Sequence, residues 1–126
     1  MKTVDIILPV YSGNLNELER SIKTQVKFYN KILKNYKWNI VISINGKNAE
    51  QIIGLSKRLS EKYKNVRYLY TEIPGKGSGV INGWTRSNAE IRGYMDIDLA
   101  VDLKCLPELI KKIEFGYDIS IGSRYN

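Results

Sequence analysis

Gly93-Tyr94-Met95-Asp96-Ile97-Asp98-Leu99 is an apolar run that stops on two carboxylates with one isoleucine between them. Such a run predicts a buried strand ending where charge is needed. Oxygen ligands at this spacing suit Mg²⁺ or Mn²⁺, hard cations whose coordination is usually completed by substrate phosphates. On an extended segment residues i and i+2 face the same side, so both carboxylates are expected to reach one ion or its phosphate partners. Like charges this close repel unless a cation or hydrogen bonds compensate; a purely structural pair is the alternative and the less favoured reading.

Working outward, the same alternation of strand and helix recurs. Val4-Asp5-Ile6-Ile7-Leu8-Pro9-Val10 reads as a strand buried on both faces. Asn14 with Glu17 three residues later has the spacing of a capping box, and Leu18, Ile22, Val26, Tyr29 and Leu33 continue at helical spacing. A second strand covers 38–44, Asn45-Gly46-Lys47-Asn48 is a turn, and Ile52, Leu55, Leu59 and Tyr63 mark a second helix. A third strand, 66–70, precedes the glycine-rich loop Gly75-Lys76-Gly77-Ser78-Gly79 and a short helix through Trp84; a fourth runs into Asp96. A helix over 106–115 and a strand over 117–121 complete the pattern. The alternation predicts an α/β fold with right-handed crossovers, a mostly parallel sheet and helices on both faces. Ligands in such sheets sit outside the carboxyl ends of the strands. Residues 9–12, 44–46, 96–98 and 122–124 all fall just past a predicted strand end, so they are expected on one rim.

The 126 residues, 43% apolar and 26% charged, suit one globular domain over 1–126. Without a long apolar run or a leader pattern the chain is expected to be cytoplasmic, and it shows no repeat, low-complexity tract or linker. It stops directly after a predicted strand, as a piece of a longer protein would. Cys105 has no second cysteine to pair with and reads as a small hydrophobe. The absence of histidine excludes histidine triads and the usual zinc sites. The net charge of +7 suits any anionic partner. Lys23, Lys27, Lys31 and Lys34 form one basic ridge with Lys37 beyond, read as a solvated helix face in preference to a membrane-docking surface. No aromatic residues interleave with it, so nucleic acid is not an expected partner.

Familiar phosphate and metal motifs fail in detail. An EF-hand loop from Asp96 needs glycine where Val101 stands and glutamate where Pro107 stands. A Walker loop needs Ser or Thr after Lys76, where Gly77 stands, and the dinucleotide fingerprint needs glycine at Val80 and should follow the first strand.

Taken together, residues 4–11, Gly75-Lys76-Gly77, Tyr94-Met95-Asp96-Ile97-Asp98-Leu99 and Ile121-Gly122-Ser123-Arg124-Tyr125 resemble, in order and spacing, the family 2 glycosyltransferases of the GT-A fold. Within them the likeness is greatest to the dolichyl- or polyprenyl-phosphate mannose and glucose synthases. The resemblance implies a GT-A, Rossmann-like three-layer sandwich, of which this chain is the N-terminal, donor-binding part. It implies that Pro9, Val10 and Tyr11 line the nucleotide, with Tyr11 against the base, and that Asn45 meets a base edge where the family has an acidic pair. Lys76 and Ile97 would lie near the donor, the alternative for the stretch 75–79 being an ordinary helix entry. Asp96 and Asp98 match the DXD motif and would hold Mg²⁺ or Mn²⁺, while Arg124 would face phosphate in the cleft, Asp98 and Arg124 being the catalytic pair. Ala100 stands where the lipid-phosphate synthases often carry a metal-binding glutamine; Asp102 is a substitute ligand or a helix cap.

The implied activity is inverting transfer of a sugar from a UDP- or GDP-linked donor to an acceptor, with a polyprenyl phosphate at a membrane surface as the expected one. An anionic phosphate acceptor needs no side-chain base, which fits a chain without histidine; a sugar hydroxyl acceptor would need a carboxylate. Two alternatives stay open: a nucleotide-sugar-binding module without transfer, and a sugar-nucleotide pyrophosphorylase. The latter expects a cation right after the first strand, where Tyr11-Ser12-Gly13-Asn14 has none.

Overall fold

The computed structural model describes residues 1–98 and 108. Strand β1 (Lys2–Val10) leads through a single 3-10 turn (Ser12–Asn14) into helix α1 (Leu15–Ile32). There follow β2 (Tyr36–Asn45), α2 (Glu50–Lys62), β3 (Val66–Thr71), α3 (Lys76–Thr85) and β4 (Ile91–Tyr94). The strands form one sheet in the order β3-β2-β1-β4, and every pairing is parallel. The chain moves outward from β1 to β3 and then returns across the sheet to β4. The reversal makes the β1/β4 boundary a switch point, where ligand crevices form in open sheets.

Side-chain alternation explains the layers. Val4, Ile6, Leu8 and Val10 of β1 and Ile40, Ile42 and Ile44 of β2 pack in one cluster with Leu18, Ile22 and Tyr29 of α1 and Ile52 and Leu59 of α2. Ile7 and Val41, equally buried, point to the other face. There α3 lies so close that a Cβ at Gly83 would stand 2.6 Å from the Ile7 side chain. Two helices thus cover one face and α3 the other, the layering expected of a GT-A sheet, and each fully buried Ile or Leu contributes about 1.5–3 kcal/mol to holding them there. Inside α1, Tyr29 donates to Gln25 (2.8 Å) and Gln25 to Ser21 (3.2 Å), so one buried turn-by-turn ladder satisfies its own polar groups. Burial pushes the Tyr29 phenol well above its ordinary value.

Three local expectations are corrected. Asn14 sits at the start of α1, but its side chain does not cap that helix; its Oδ1 accepts from the Tyr11 N–H at 3.0 Å instead. The glycine-rich stretch is not a loop beyond Gly75. Lys76, Gly77, Ser78 and Gly79 are the first turns of α3, with Gly75 (φ 110°) just before it. Packing overrides the poor helix propensity of glycine there. Finally, β4 ends at Tyr94, and Ile97–Asp98 form a turn, so Asp96 and Asp98 do not continue one extended edge. The expected helix over 106–115, the strand over 117–121, Cys105, Ala100, Asp102 and Arg124 lie outside the described residues.

Candidate functional site

At the carboxyl rim the ends of β1, β2 and β4 and the start of α3 surround a cleft of about 580 Å³, a volume suited to a nucleotide-sized ligand. Pro9, Val10 and Tyr11 come from β1 and its exit, Asn45 from β2, Lys76 from α3, and Asp96, Ile97 and Asp98 from the segment after β4. Every expected site residue within the described part of the chain therefore lies on this one cleft.

Their side chains do different things. Val10 is 1% exposed and belongs to the core, so what it offers the cleft is main chain. Ile97 packs partly against the same core. Tyr11 is 55% exposed, and its backbone is held by reciprocal bonds with Asn14, whose N–H donates to the Tyr11 carbonyl at 2.9 Å. Its ring lies over Gly13, within 2.6 Å of where a Cβ would stand, and is open for stacking on its free side.

Asn45 has a role that its sequence position does not reveal. Its Nδ2 donates to the Val10 carbonyl at 2.9 Å, and its Oδ1 accepts from the Gly75 N–H at 2.9 Å. A carbonyl and an amide N–H fix which end of the carboxamide is which. The side chain thus ties the end of β1 to the start of α3, and it is a strut before it is a reader of a base edge. Gly79 makes room for it: a Cβ there would lie 3.3 Å from Asn45 Nδ2 and 3.3 Å from Pro9. Ser43 adds a 2.6 Å bond from its hydroxyl to the Gly79 carbonyl, locking α3 onto β2.

On the opposite wall Lys76 Nζ pairs with Asp96 Oδ1 at 2.5 Å. The Asp96 side chain is 12% exposed and that of Lys76 54%, so the acid is sunk in the wall while the lysine reaches over from the rim. The ammonium also lies 5.3 Å from the centroid of the Tyr94 ring, within cation–π range. Asp98 is exposed and stands between this cleft and a smaller recess of about 260 Å³ beside Arg20 and Thr24 of α1. The segment after β4 thus offers two carboxylates to the cleft. Among the described residues no group of three or more His, Cys, Asp and Glu side chains is placed to hold a metal. Two hard oxygen donors fit Mg²⁺ or Mn²⁺ with the remaining positions left to phosphate and water.

Gly46, expected on the rim, extends the β2 wall, and the sequence reading missed Lys47 next to it and Pro74 beside α3. Gly46 adopts φ 92°, its N–H bonds to Thr71 (3.1 Å) and its carbonyl accepts from Tyr70 (2.8 Å). The Asn45-Gly46 turn signal extends to Lys47 and could have nominated it. Among the described residues no helix is long and apolar enough to cross a membrane.

Comparison with known proteins identifies the family. The chain is 31% identical over 124 residues to a dolichol-phosphate mannosyltransferase of Pyrococcus furiosus, covering 97% of this chain and 33% of that protein. It is 23% identical over 124 residues to glycosyltransferase AglD of Haloferax volcanii, covering 97% of this chain and 20% of the relative. The chain thus spans a third or less of the length of these relatives. The family model for glycosyl transferase family 2 matches residues 5–126, nearly the whole sequence, and with the parallel sheet and its rim cleft this establishes that the chain belongs to that family.

Proposed function

We propose that this protein binds a nucleoside diphosphate sugar in the rim cleft and transfers the sugar, with inversion, to a polyprenyl phosphate. The observation that carries the reading is the convergence of Tyr11, Lys76, Asp96 and Asp98 on one cleft of about 580 Å³ at the switch point of the sheet. The likeness to a dolichol-phosphate mannosyltransferase supports the acceptor class.

In this mechanism the base lies against the exposed Tyr11 ring and the diphosphate spans toward the start of α3. Backbone N–H groups in the first turn of that helix and the Lys76 ammonium attract the anionic phosphates. Asp96 and Asp98 would hold Mg²⁺ or Mn²⁺, which when bound supplies positive charge for the departing diphosphate. An oxygen of the acceptor phosphate attacks the anomeric carbon from the face opposite the leaving group, and the bond from that carbon to the diphosphate oxygen breaks. The products are a glycosyl phospholipid and a nucleoside diphosphate. The attacking oxygen is already ionised, so no protein base is required. Lys76 is placed to offset charge that grows on the leaving diphosphate.

Titrating UDP, GDP and their sugar conjugates by calorimetry, with and without Mn²⁺, tests the donor half. One nucleoside diphosphate should bind most tightly, more so with the ion, and Asp98→Asn should lose that gain. Equal affinity of Asp98→Asn and the parent counts against the site. Incubation with a labelled donor and a polyprenyl phosphate then separates transfer from binding alone.

A further inference from the structure

The Asp96 carboxylate meets a cation supplied by the chain itself. Lys76 Nζ lies 2.5 Å from Asp96 Oδ1 and 5.3 Å from the centroid of the Tyr94 ring, so one ammonium is held between an acid and an aromatic face. A divalent ion bound to the same carboxylate would stand only a few ångströms from that ammonium, and two cations so close repel each other. The lysine side chain is 54% exposed and is the flexible partner, whereas the acid is sunk in the cleft wall. The lysine is therefore the group that moves. Its long stem, anchored in the first turn of α3 at the cleft edge, keeps the released ammonium within reach of a diphosphate in the cleft.

We propose that Lys76 is a resident cation at Asp96, which a divalent ion displaces and which then turns to the donor's diphosphate. The inference rests on the donor-binding reading above and deepens it. In the metal-free protein the pair suppresses repulsion between Asp96 and Asp98; on loading, one positive charge is exchanged for two and a freed ammonium joins the phosphate site. Metal and lysine thus compete for Asp96, yet both favour the bound diphosphate.

The test is Mn²⁺ binding to the full chain without nucleotide, followed by electron paramagnetic resonance of the free ion. Lys76→Met should bind Mn²⁺ about fivefold more tightly than the parent, the factor that ~1 kcal/mol of partly exposed pair energy corresponds to. Lys47→Met removes an equal charge from the cleft wall formed by the end of β2 and should change Mn²⁺ affinity less than about twofold. In an Asp96→Asn background, Lys76→Met should give no further gain. At saturating Mn²⁺, Lys76→Met should weaken binding of the preferred nucleoside diphosphate. Unchanged or weaker Mn²⁺ binding by Lys76→Met overturns the proposal, as does an equal gain from Lys47→Met. If either result comes with intact binding of a nucleotide sugar by the parent, only the competition is lost; a parent that binds no nucleotide sugar overturns the donor-binding reading itself.

Discussion

Replacing Asn45 by alanine separates two accounts of the site. In the structure this side chain is 5% exposed and joins the Val10 carbonyl to the Gly75 N–H, each at 2.9 Å. Alanine removes both bonds and leaves a backbone acceptor and a backbone donor without those partners. A buried group left unsatisfied costs ~1–3 kcal/mol, and a net hydrogen bond ~0.5–1.5 kcal/mol. Both orphaned groups border the cleft, where water can reach them, so the lower end applies to each and the total is about 2 kcal/mol. With an m-value of about 2 kcal/mol/M in urea, the unfolding midpoint should fall by about 1 M. Nucleoside diphosphate affinity should fall too, by less than about tenfold, since the start of α3 loses its tether but keeps Lys76. Urea melts and calorimetry on the same preparation measure both. Unchanged stability together with a loss of affinity well beyond tenfold would refute the strut and make Asn45 a reader of the base, as its sequence position first suggested.

Other substitutions probe the same framework. Gly83→Ala forces a methyl to within 2.6 Å of buried Ile7, so α3 must lift from the sheet; a loss of about 1–3 kcal/mol in urea unfolding is expected, with weaker nucleotide binding as Lys76 moves with the helix. Gly13→Ala displaces the outer end of the Tyr11 ring, an exposed group, so affinity for nucleotides should fall while the melting temperature stays within a degree or two, checked by calorimetry beside thermal unfolding. Tyr29 is neutral and buried, with its phenol raised above the ordinary 10.0, so its contribution to stability is complete below that value and declines as pH rises past it. Tyr29→Phe should be less stable near neutrality for want of the Gln25 bond, yet lose less between about pH 9 and about pH 11 than the parent in paired urea melts.

Much of this arrangement is written locally. The apolar runs of β1 and β2 and the spacing of Leu18, Ile22 and Tyr29 state their own secondary structure, and alternation of such elements implies a parallel sheet with its site at the carboxyl rim. The beginning of α3 is legible only as the alternative of a helix entry, because three glycines in five residues argue for a loop when read alone. What makes them helical is contact with β1 and β2: Gly79 faces Pro9, Asn45 and Ser43, and Gly83, one turn on, faces Ile7. The i, i+4 repeat of Gly75, Gly79 and Gly83 was the available signal, a small-residue stripe on a helix pressed to a sheet. The Asn45 strut left no trace at all, since both of its partners are main-chain groups that any residue supplies. The relation of Asp96 to Asp98 departs from the sequence expectation because β4 ends at Tyr94; the turn at 97–98 has no glycine or proline to announce it.

The face of the sheet beneath α3 carries two acid–base pairs, and their differences say which is structural. Asp5, in β1, is 3% exposed as a side chain and accepts from Arg67 (2.7 Å), from the Ser87 hydroxyl (2.6 Å) and, more weakly, from Asn39 (3.5 Å). Those partners belong to β3, to the turn after α3 and to β2, so one carboxylate knits the crossover that carries the chain from one edge of the sheet to the other. Removing it would leave a cationic Arg67 and a buried hydroxyl without their acceptor, a cost in folding. Asp96 stands at the other end of the same face, on the cleft, where its lysine partner is half in water and shared with an aromatic ring. Exchange of that partner for another cation needs movement of one flexible side chain. A buried acid held by donors from three elements stabilises the fold, and an acid on a cleft wall paired with a half-exposed lysine can be re-partnered by a ligand. Asp5→Asn should therefore act chiefly on unfolding free energy and Asp96→Asn chiefly on metal and nucleotide affinity; the reverse assignment, read from urea melts and Mn²⁺ titrations of the two variants, would contradict this division of roles.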